Sequence, residues 1–437
     1  LGDVYKRQFL LSVFASCSKD PELEPDTPPS TFKVRIDNVI HETYFDSYPQ
    51  GPSLFVPYLV MSGLPEGEKL LAFGGYYSPE NPNPDGSDYT FIHDCADDEL
   101  IQGWDWTQEL IYSAGWIDLP IPGKTYYFKG VVRTNKAVYY SNTVTINTDG
   151  LPGYTPGPQD RVLPVVFHVM PRKDGTYPHP YFFDEMLACA NRLYRNVWPL
   201  PGLADAGIRF VPATHAPDGT ALSTPGIHYL DERYELDLDI SNEELRQWVG
   251  DNLWEMTEVI NVWVSPFIND HIVSEDTSTA GFTFLPYFAP EEMLQGCNTA
   301  VPGCFSGIFL NQEIVGNGYC NSGIAVFAHE AGHYLGLDHV FEEDWCDDTP
   351  QYDRARYRTE QYIPGIDTYL RYPIDASAEP YTALNVMDYD IVIYSGITPQ
   401  QAERVRYTLQ HACLVPGGKP LPGNMKSCAG PAPKVMY

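Results

Sequence analysis

The chain has 437 residues, 43% hydrophobic and 14% aromatic, enough for two or three domains and too apolar for a disordered polymer. Asp and Glu total 58 against 27 Lys and Arg, a formal charge of −31, so a surface tracking nucleic-acid phosphates would work against the field of the whole molecule. No stretch approaches the roughly 18 to 20 apolar residues that a membrane-spanning helix needs, and no short fixed repeat suggests a fibrous or coiled-coil chain.

Residues 1–17 place Lys6 and Arg7 before the apolar run Phe9–Ala15, followed by Ser16 and Cys17. That order reads as the remainder of a secretory signal. It resembles the lipobox of bacterial lipoproteins, which implies cleavage that leaves Cys17 as a lipidated N-terminus; the alternative is an ordinary signal with an incidental cysteine. Residues 18–30 are acidic and rich in proline, with too little apolar surface to fold, and read as a tether. The expectation is an exported, outer-membrane lipoprotein exposed at the cell surface. Beyond Cys17 there are eight further cysteines, an even set that in an exported chain suggests disulfides, with 105 possible connectivities. Their distribution requires either that Cys95 bridge two parts of the chain or that two thiols stay free.

Residues 31–148 carry short β-rich runs, at Phe32–Ile40, Ser53–Met61, Lys69–Tyr77, Lys124–Arg133 and Ala137–Ile146, separated by Gly, Pro, Asn and Asp. This spacing fits an all-β sandwich, and Gly123–Ile146 resembles the last hairpin of a fibronectin-III or Ig-like module. Trp104, Trp106 and Trp116 read chiefly as packing residues, with a carbohydrate platform as the sharper alternative. A linker rich in Gly and Pro at 149–160 marks a boundary. From 161 to 415 strands and helices alternate: strand Val162–Met170, helix Phe183–Val197, strand Gly207–Val211, helix Asn242–Met256 and strands Val259–Val264 and Ile308–Leu310. That pattern predicts an α+β domain with helices packed on a mixed sheet. Residues 416–437, dominated by Pro and Gly, read as a tail with no closing strand or helix.

Chemistry concentrates in His329-Glu330-Ala331-Gly332-His333-Tyr334-Leu335-Gly336-Leu337-Asp338-His339. On a helix, His329 and His333 lie about 40° apart on one face, with Glu330 about 60° from His333. His339 on the same helix would lie roughly 9 Å further along and roughly 240° around, so the helix must end first. Gly336 permits that turn because it adopts a left-handed conformation without Cβ strain. Three neutral imidazoles with no fourth protein ligand describe a catalytic zinc site that keeps one position for water. Glu330 then stands where a general base takes the proton of that water and hands it to a leaving amine. Asn385-Val386-Met387-Asp388-Tyr389 follows, with Met387 48 positions after His339 (387 − 339), where a tight turn would put its thioether beneath the imidazoles. Tyr389 would then reach the zinc or a developing oxyanion, or else serve as a core aromatic. Asp338 and Asp348 read as groups that fix loops, and His168 and His271 as structural histidines.

The histidine segment and the turn at Met387 together match the metzincin signature. The run from about 162 to 410 resembles the pappalysin and cytophagalysin branch of the metzincins, through Leu163–Val169, Pro225-Gly226-Ile227, Ile260–Val264, Asp348-Thr349-Pro350 and Ile397–Gln401. With the Cys17 signal, the chain resembles zinc-dependent metalloproteinase lipoproteins of Bacteroides-type bacteria. The resemblance implies a zinc endopeptidase acting on protein or peptide substrates, with one catalytic Zn2+. It also implies a substrate-binding edge strand above the metal, matched by Ile308, Phe309, Leu310 and Asn311, and a specificity wall in Gln351–Tyr381. The connection between His339 and Asp348 is shorter than in the better-known pappalysins, so neither a disulfide pairing nor a structural Ca2+ site is carried over. The rival reading is a surface adhesion or glycan-binding lipoprotein whose metzincin-like part is an inactive scaffold.

Overall fold

The structure is a computed structural model that describes residues 31–437 except 46–50, 240, 269–278, 302, 317–321, 357–368, 390–391, 420–433 and 437. Cys17 and its surroundings, and His271, lie outside the described residues.

The front part forms two antiparallel sheets. In one, β2 (Ser53–Ser62) lies between β1 (Lys33–Thr43) and β5 (Leu110–Ser113), with β6 (Ile117–Asp118) also pairing β2. In the other the order is β4 (Tyr89–Asp94), β3 (Leu70–Ser78), β7 (Thr125–Thr134), β8 (Val138–Asn147). Side chains interdigitate between the sheets: Phe73 of β3 meets Tyr112 of β5 at 4.9 Å between ring centroids, edge to face. Gly130 of β7 leaves room for the other sheet, since a Cβ there would fall 2.4 Å from Leu59 Cδ1. The five predicted strands are present with ends shifted by at most one residue, except that β1 runs three residues further, to Thr43. β4 and β5 were not anticipated, because their sequences, Tyr89–Asp94 and Leu110–Ser113, are short and lie among polar turn residues. Trp106 packs on Phe32 and Trp116 on Phe91, as packing residues do.

The rear part is built on a sheet ordered β10 (Ile208–Pro212), β9 (Arg161–Val169), β12 (Ile260–Ser265), β14 (Ile308–Asn311), β13 (Gly281–Phe284), β15 (Lys434–Met436), with β11 (Ile227–Tyr229) also on β9. All pairings are parallel up to β14; β13 and β15 run antiparallel to their neighbours. The helices α1 (Pro180–Tyr194) and α3 (Ser322–Tyr334) pack on one face, where Phe167 of β9 touches Phe183 of α1 and Phe327 of α3. On the other face Trp263, Phe309 and Phe282 stack in a row across β12, β14 and β13, and Leu245 and Val249 of α2 (Asn242–Val249) join that cluster. A last helix, α4 (Pro399–His411), starts from a Thr398/Gln401 capping box.

Three expectations are corrected. Ile308–Asn311 is not an edge strand: it pairs with β12 on one side and β13 on the other, and all four residues are buried. Its apolar residues on both faces are those of an interior strand. The predicted helix Asn242–Met256 ends at Val249, because Gly250, at φ +48°, leads into a short 3₁₀ turn over Gly250–Asn252. The tail does supply a closing strand, Lys434–Met436 on β13, which its Pro- and Gly-rich surroundings conceal.

The two parts meet along α1. Tyr126 donates to Glu185 (2.7 Å), Tyr181 donates to Asp88 (2.6 Å), and the Arg192 guanidinium donates to the carbonyls of Leu119 and Pro120. The described cysteines, Cys95, Cys189, Cys297, Cys304, Cys346 and Cys413, are all free thiols, so no disulfide joins any two of them. Burial pushes the thiols of Cys95, Cys189, Cys297 and Cys346 up to about 12, which keeps them protonated and unreactive. Among the described residues no helix is long and apolar enough to cross a membrane.

Candidate metal centre and active site

The helix α3 carries His329, Glu330 and His333 at its C-terminal end, and the chain then turns at Gly336, whose φ is +90°. A side chain is excluded there a second time, since a Cβ would lie 2.5 Å from Thr408 Oγ1 of α4. The turn swings His339 back, so that one ring nitrogen from each of His329, His333 and His339 lies within 4.8 Å of the others, all three residues being buried. Asp338 accepts the backbone N–H of His339 at 2.9 Å and so fixes the return of the chain. Asp348 accepts from Thr398 Oγ1 and Gln400 N and ties the following loop to the start of α4. Both act as the loop-fixing groups that the sequence suggested.

The tautomers follow from the hydrogen bonds. His329 Nδ1 lies 2.7 Å from Val386 O, and His333 Nδ1 lies 2.8 Å from Leu337 O. A carbonyl only accepts, so each Nδ1 carries the proton and each Nε2 presents a lone pair. His333 Nε2 faces His339 Nε2 at 3.0 Å. Burial, with the neighbouring imidazoles, pushes His329 and His333 well below the ordinary histidine range; burial followed by the Arg354 charge takes His339 to about 3. Neutral imidazoles with converging lone pairs are the donor set of a zinc site, so the residues fit the ion. A second acidic grouping, Asp338, His339 and Glu342, shares His339 with the first, and its Asp338 is already spent on the backbone.

Glu330 is fully buried, and neither carboxylate oxygen accepts a hydrogen bond from any described residue. Burial raises it well above the usual carboxylate range. Gly281 of β13 lies directly against it: a Cβ there would fall 3.0 Å from Glu330 Cγ and 3.1 Å from Oε1. The strand beside this carboxylate is therefore Gly281–Phe284, and β15 pairs along its outer side.

The Met-turn lies under the histidines. Its Val386 carbonyl orients His329, and Met387 is wholly buried against Gly332, where a Cβ would lie 2.2 Å from Met387 Sδ and 2.8 Å from Tyr194 OH. Glycine at 332 thus makes room for the Met-turn and for α1, whose Tyr194 donates to Ala328 O at 2.9 Å. The Tyr389 ring is 4.4 Å from that of His339 and 5.5 Å from that of His329, centroid to centroid, and the Arg354 guanidinium lies over it at 4.3 Å.

Sequence reasoning missed the group that holds this turn. Asp388 and Arg371 form a completely buried ion pair (Nε to Oδ2, 3.2 Å), and Tyr352 donates to Asp388 Oδ1 at 2.5 Å. Arg371 therefore belongs to the interior and not to a specificity wall. The available signal was an aspartate between Met387 and Tyr389 in an apolar setting, which requires a buried partner.

Residues 243–410 match the family Peptidase_M43, described as pregnancy-associated plasma protein-A. Among solved structures, Tannerella forsythia mature mirolysin in complex with a cleaved peptide is 19% identical over 58% of this chain and 93% of that chain, with a TM-score of 0.40. Mirolysin in complex with compound 9 is 18% identical over 58% of this chain and 92% of that one, with a TM-score of 0.39. A DUF3823 family protein from Bacteroides ovatus ATCC 8483 overlaps 27% of this chain and 56% of its own at 15% identity and a TM-score of 0.19. At these values the structural likenesses carry no argument about activity. No curated protein matches the chain at a significant level. The three histidines, Glu330 and the Met-turn all fall inside the matched residues, and the match over 243–410 to the metallopeptidase family Peptidase_M43 supports a metzincin of the pappalysin type.

Proposed function

We propose that the chain is a zinc endopeptidase that hydrolyses internal bonds of protein or peptide substrates. His329, His333 and His339 would hold the ion, which when bound supplies Lewis-acid polarisation and a water of lowered pKa. Glu330 accepts the proton of the attacking water and returns it to the leaving nitrogen. The observation that carries this reading is the buried Glu330 carboxylate, left without a hydrogen-bond partner beside three neutral imidazoles. A buried carboxylate left unpaired is unfavourable for the fold, and such a group in a cleft of titratable residues marks a reacting site. Tyr389 would donate to the oxyanion that develops on the substrate carbonyl, a role supported by its ring lying 4.4 Å from that of His339. An extended substrate would take the outer side of β13 by antiparallel pairing, in place of the Lys434–Met436 segment that pairs there in the structure.

Around this centre we read residues 161–415 as the catalytic domain and 31–148 as a fibronectin-III-like module joined by the 149–160 linker. We also read Cys17 as a lipid attachment site on an exported protein; release of a Cys17→Ala variant from the membrane fraction is the expected result, and unchanged membrane association would refute it. The peptidase reading is tested by digesting a peptide library with the zinc-loaded full chain and with Glu330→Ala. Cleavage by the parent alone is expected; equal cleavage by both, or by neither with zinc bound, would refute it.

A further inference from the structure

The backbone of Tyr389 is held on both sides by one buried ion pair. Its N–H donates to Asp388 Oδ1 at 2.7 Å, and its carbonyl accepts from the Arg371 guanidinium at 3.0 Å. The same guanidinium reaches Asp388 Oδ2 at 3.2 Å, and the other carboxylate oxygen takes the Tyr352 hydroxyl at 2.5 Å. Arg371, Asp388 and Tyr352 are all essentially without solvent exposure. Taking two charges out of water is unfavourable unless both are well paired, and apolar residues of the same volume generally fill a core at least as stably. A charged pair at this position therefore calls for an explanation other than stability. Its geometry supplies one, because only a planar fork can bond the aspartate and the next residue's carbonyl at once.

Arg371 reaches the site from a different piece of chain. It lies on the two-residue strand Leu370–Arg371, paired with Tyr381–Thr382, while Tyr352 follows the loop tied down by Asp348. Segments far apart in sequence thus meet at the peptide unit that precedes and carries the Tyr389 side chain. We propose that Arg371, with Asp388 and Tyr352, is a positioning residue for the reaction, fixing the backbone of Tyr389 so that its phenol stays beside His339 where the oxyanion forms. This rests on the reading of Tyr389 as an active-site phenol. Displacement of a transition-state donor by about 1 Å can lower a rate by roughly 10²-fold, comparable to deleting it.

The test is a double-mutant cycle on peptide hydrolysis by the zinc-loaded full chain: parent, Tyr389→Phe, Arg371→Met, and the two together, with Arg371→Lys in both backgrounds. Tyr389→Phe and Arg371→Met are each expected to lower kcat by roughly 10²-fold with KM unchanged, and the double variant to be no worse than either. Arg371→Lys, which keeps the charge and loses the fork, is expected to fall between parent and Arg371→Met, and its loss to vanish in the Tyr389→Phe background. If Arg371→Met does not fold, the lysine series decides alone. Additive losses, or a lysine variant equal to parent, would overturn the positioning role while leaving that of Tyr389 standing. Parental kcat in Tyr389→Phe would instead remove the phenol from the reaction and the proposal with it. A readout independent of turnover uses metal-free protein with ring-labelled tyrosine: the resonance missing from Tyr389→Phe should move in Arg371→Lys, because the ring sits 4.4 Å from that of His339. An unmoved resonance would also overturn the proposal.

Discussion

Two glutamates on adjacent helices, Glu185 of α1 and Glu330 of α3, are both buried, and their surroundings differ in one respect. Glu185 accepts the Tyr126 hydroxyl at 2.7 Å and so joins the front sheets to the rear part, while Glu330 accepts nothing from the described residues and shares its helix with His329 and His333. Burial raises both carboxyls. The first is a structural acid whose donor offsets its desolvation; the second is left unsatisfied, as the proposed general base would be. The same residue type in equally dry places thus does opposite work, and the partner decides which.

The largest effect should separate the two. Glu330→Gln keeps the size of the side chain and removes the base, so kcat should fall by roughly 10²- to 10⁴-fold while bound zinc, measured by metal analysis, stays at the parental level. Next comes the support under the histidines. Gly332→Ala forces a methyl group against Met387 Sδ and Tyr194 OH and should lower stability by about 1–3 kcal/mol in denaturant unfolding, with loss of zinc affinity. At the structural glutamate, Tyr126→Phe should lower stability by about 1–3 kcal/mol and leave kcat of the folded protein unchanged. A drop in kcat there would mean that the front sheets tune the site.

The smallest effect concerns Asp118, at the same interface. Burial raises its carboxyl to about 7, against the pull of the Tyr44 hydroxyl, the Leu119 backbone N–H and Arg192. The folded chain therefore holds a proton that the unfolded chain, titrating near about 4, has released. The associated stability is full below the unfolded value and is lost as pH rises through the folded one. Asp118→Asn should consequently melt at a higher temperature than the parent at pH 8, with the difference shrinking as pH falls toward 4; a difference independent of pH would contradict that assignment.

Much of the site was legible because its parts are local. His329, Glu330 and His333 share one helix face, and Gly336 had to break that helix for His339 to return. The Met-turn at Met387 was legible from its motif, and its thioether packs where a side chain at Gly332 would otherwise lie. What was not legible depends on sheet order. Ile308–Asn311 and Gly281–Phe284 are both short apolar segments, and nothing within either says which is interior and which lies beside the helices. The Arg371–Asp388 pair was hidden for a related reason: an arginine in a polar, tyrosine-rich stretch reads as surface until the fold buries it. The closing strand Lys434–Met436 has only three residues, and its pairing is decided by the strand it meets.

The central claim is that three converging imidazoles and an unpaired carboxylate form one hydrolytic centre. Chelation and reconstitution of the purified full chain test it most directly. Peptide cleavage should disappear on removal of metal and return in the parent at one equivalent of zinc, while Glu330→Gln takes up the same equivalent and stays inactive. Undiminished cleavage by the metal-free parent, or its recovery in Glu330→Gln, would contradict it.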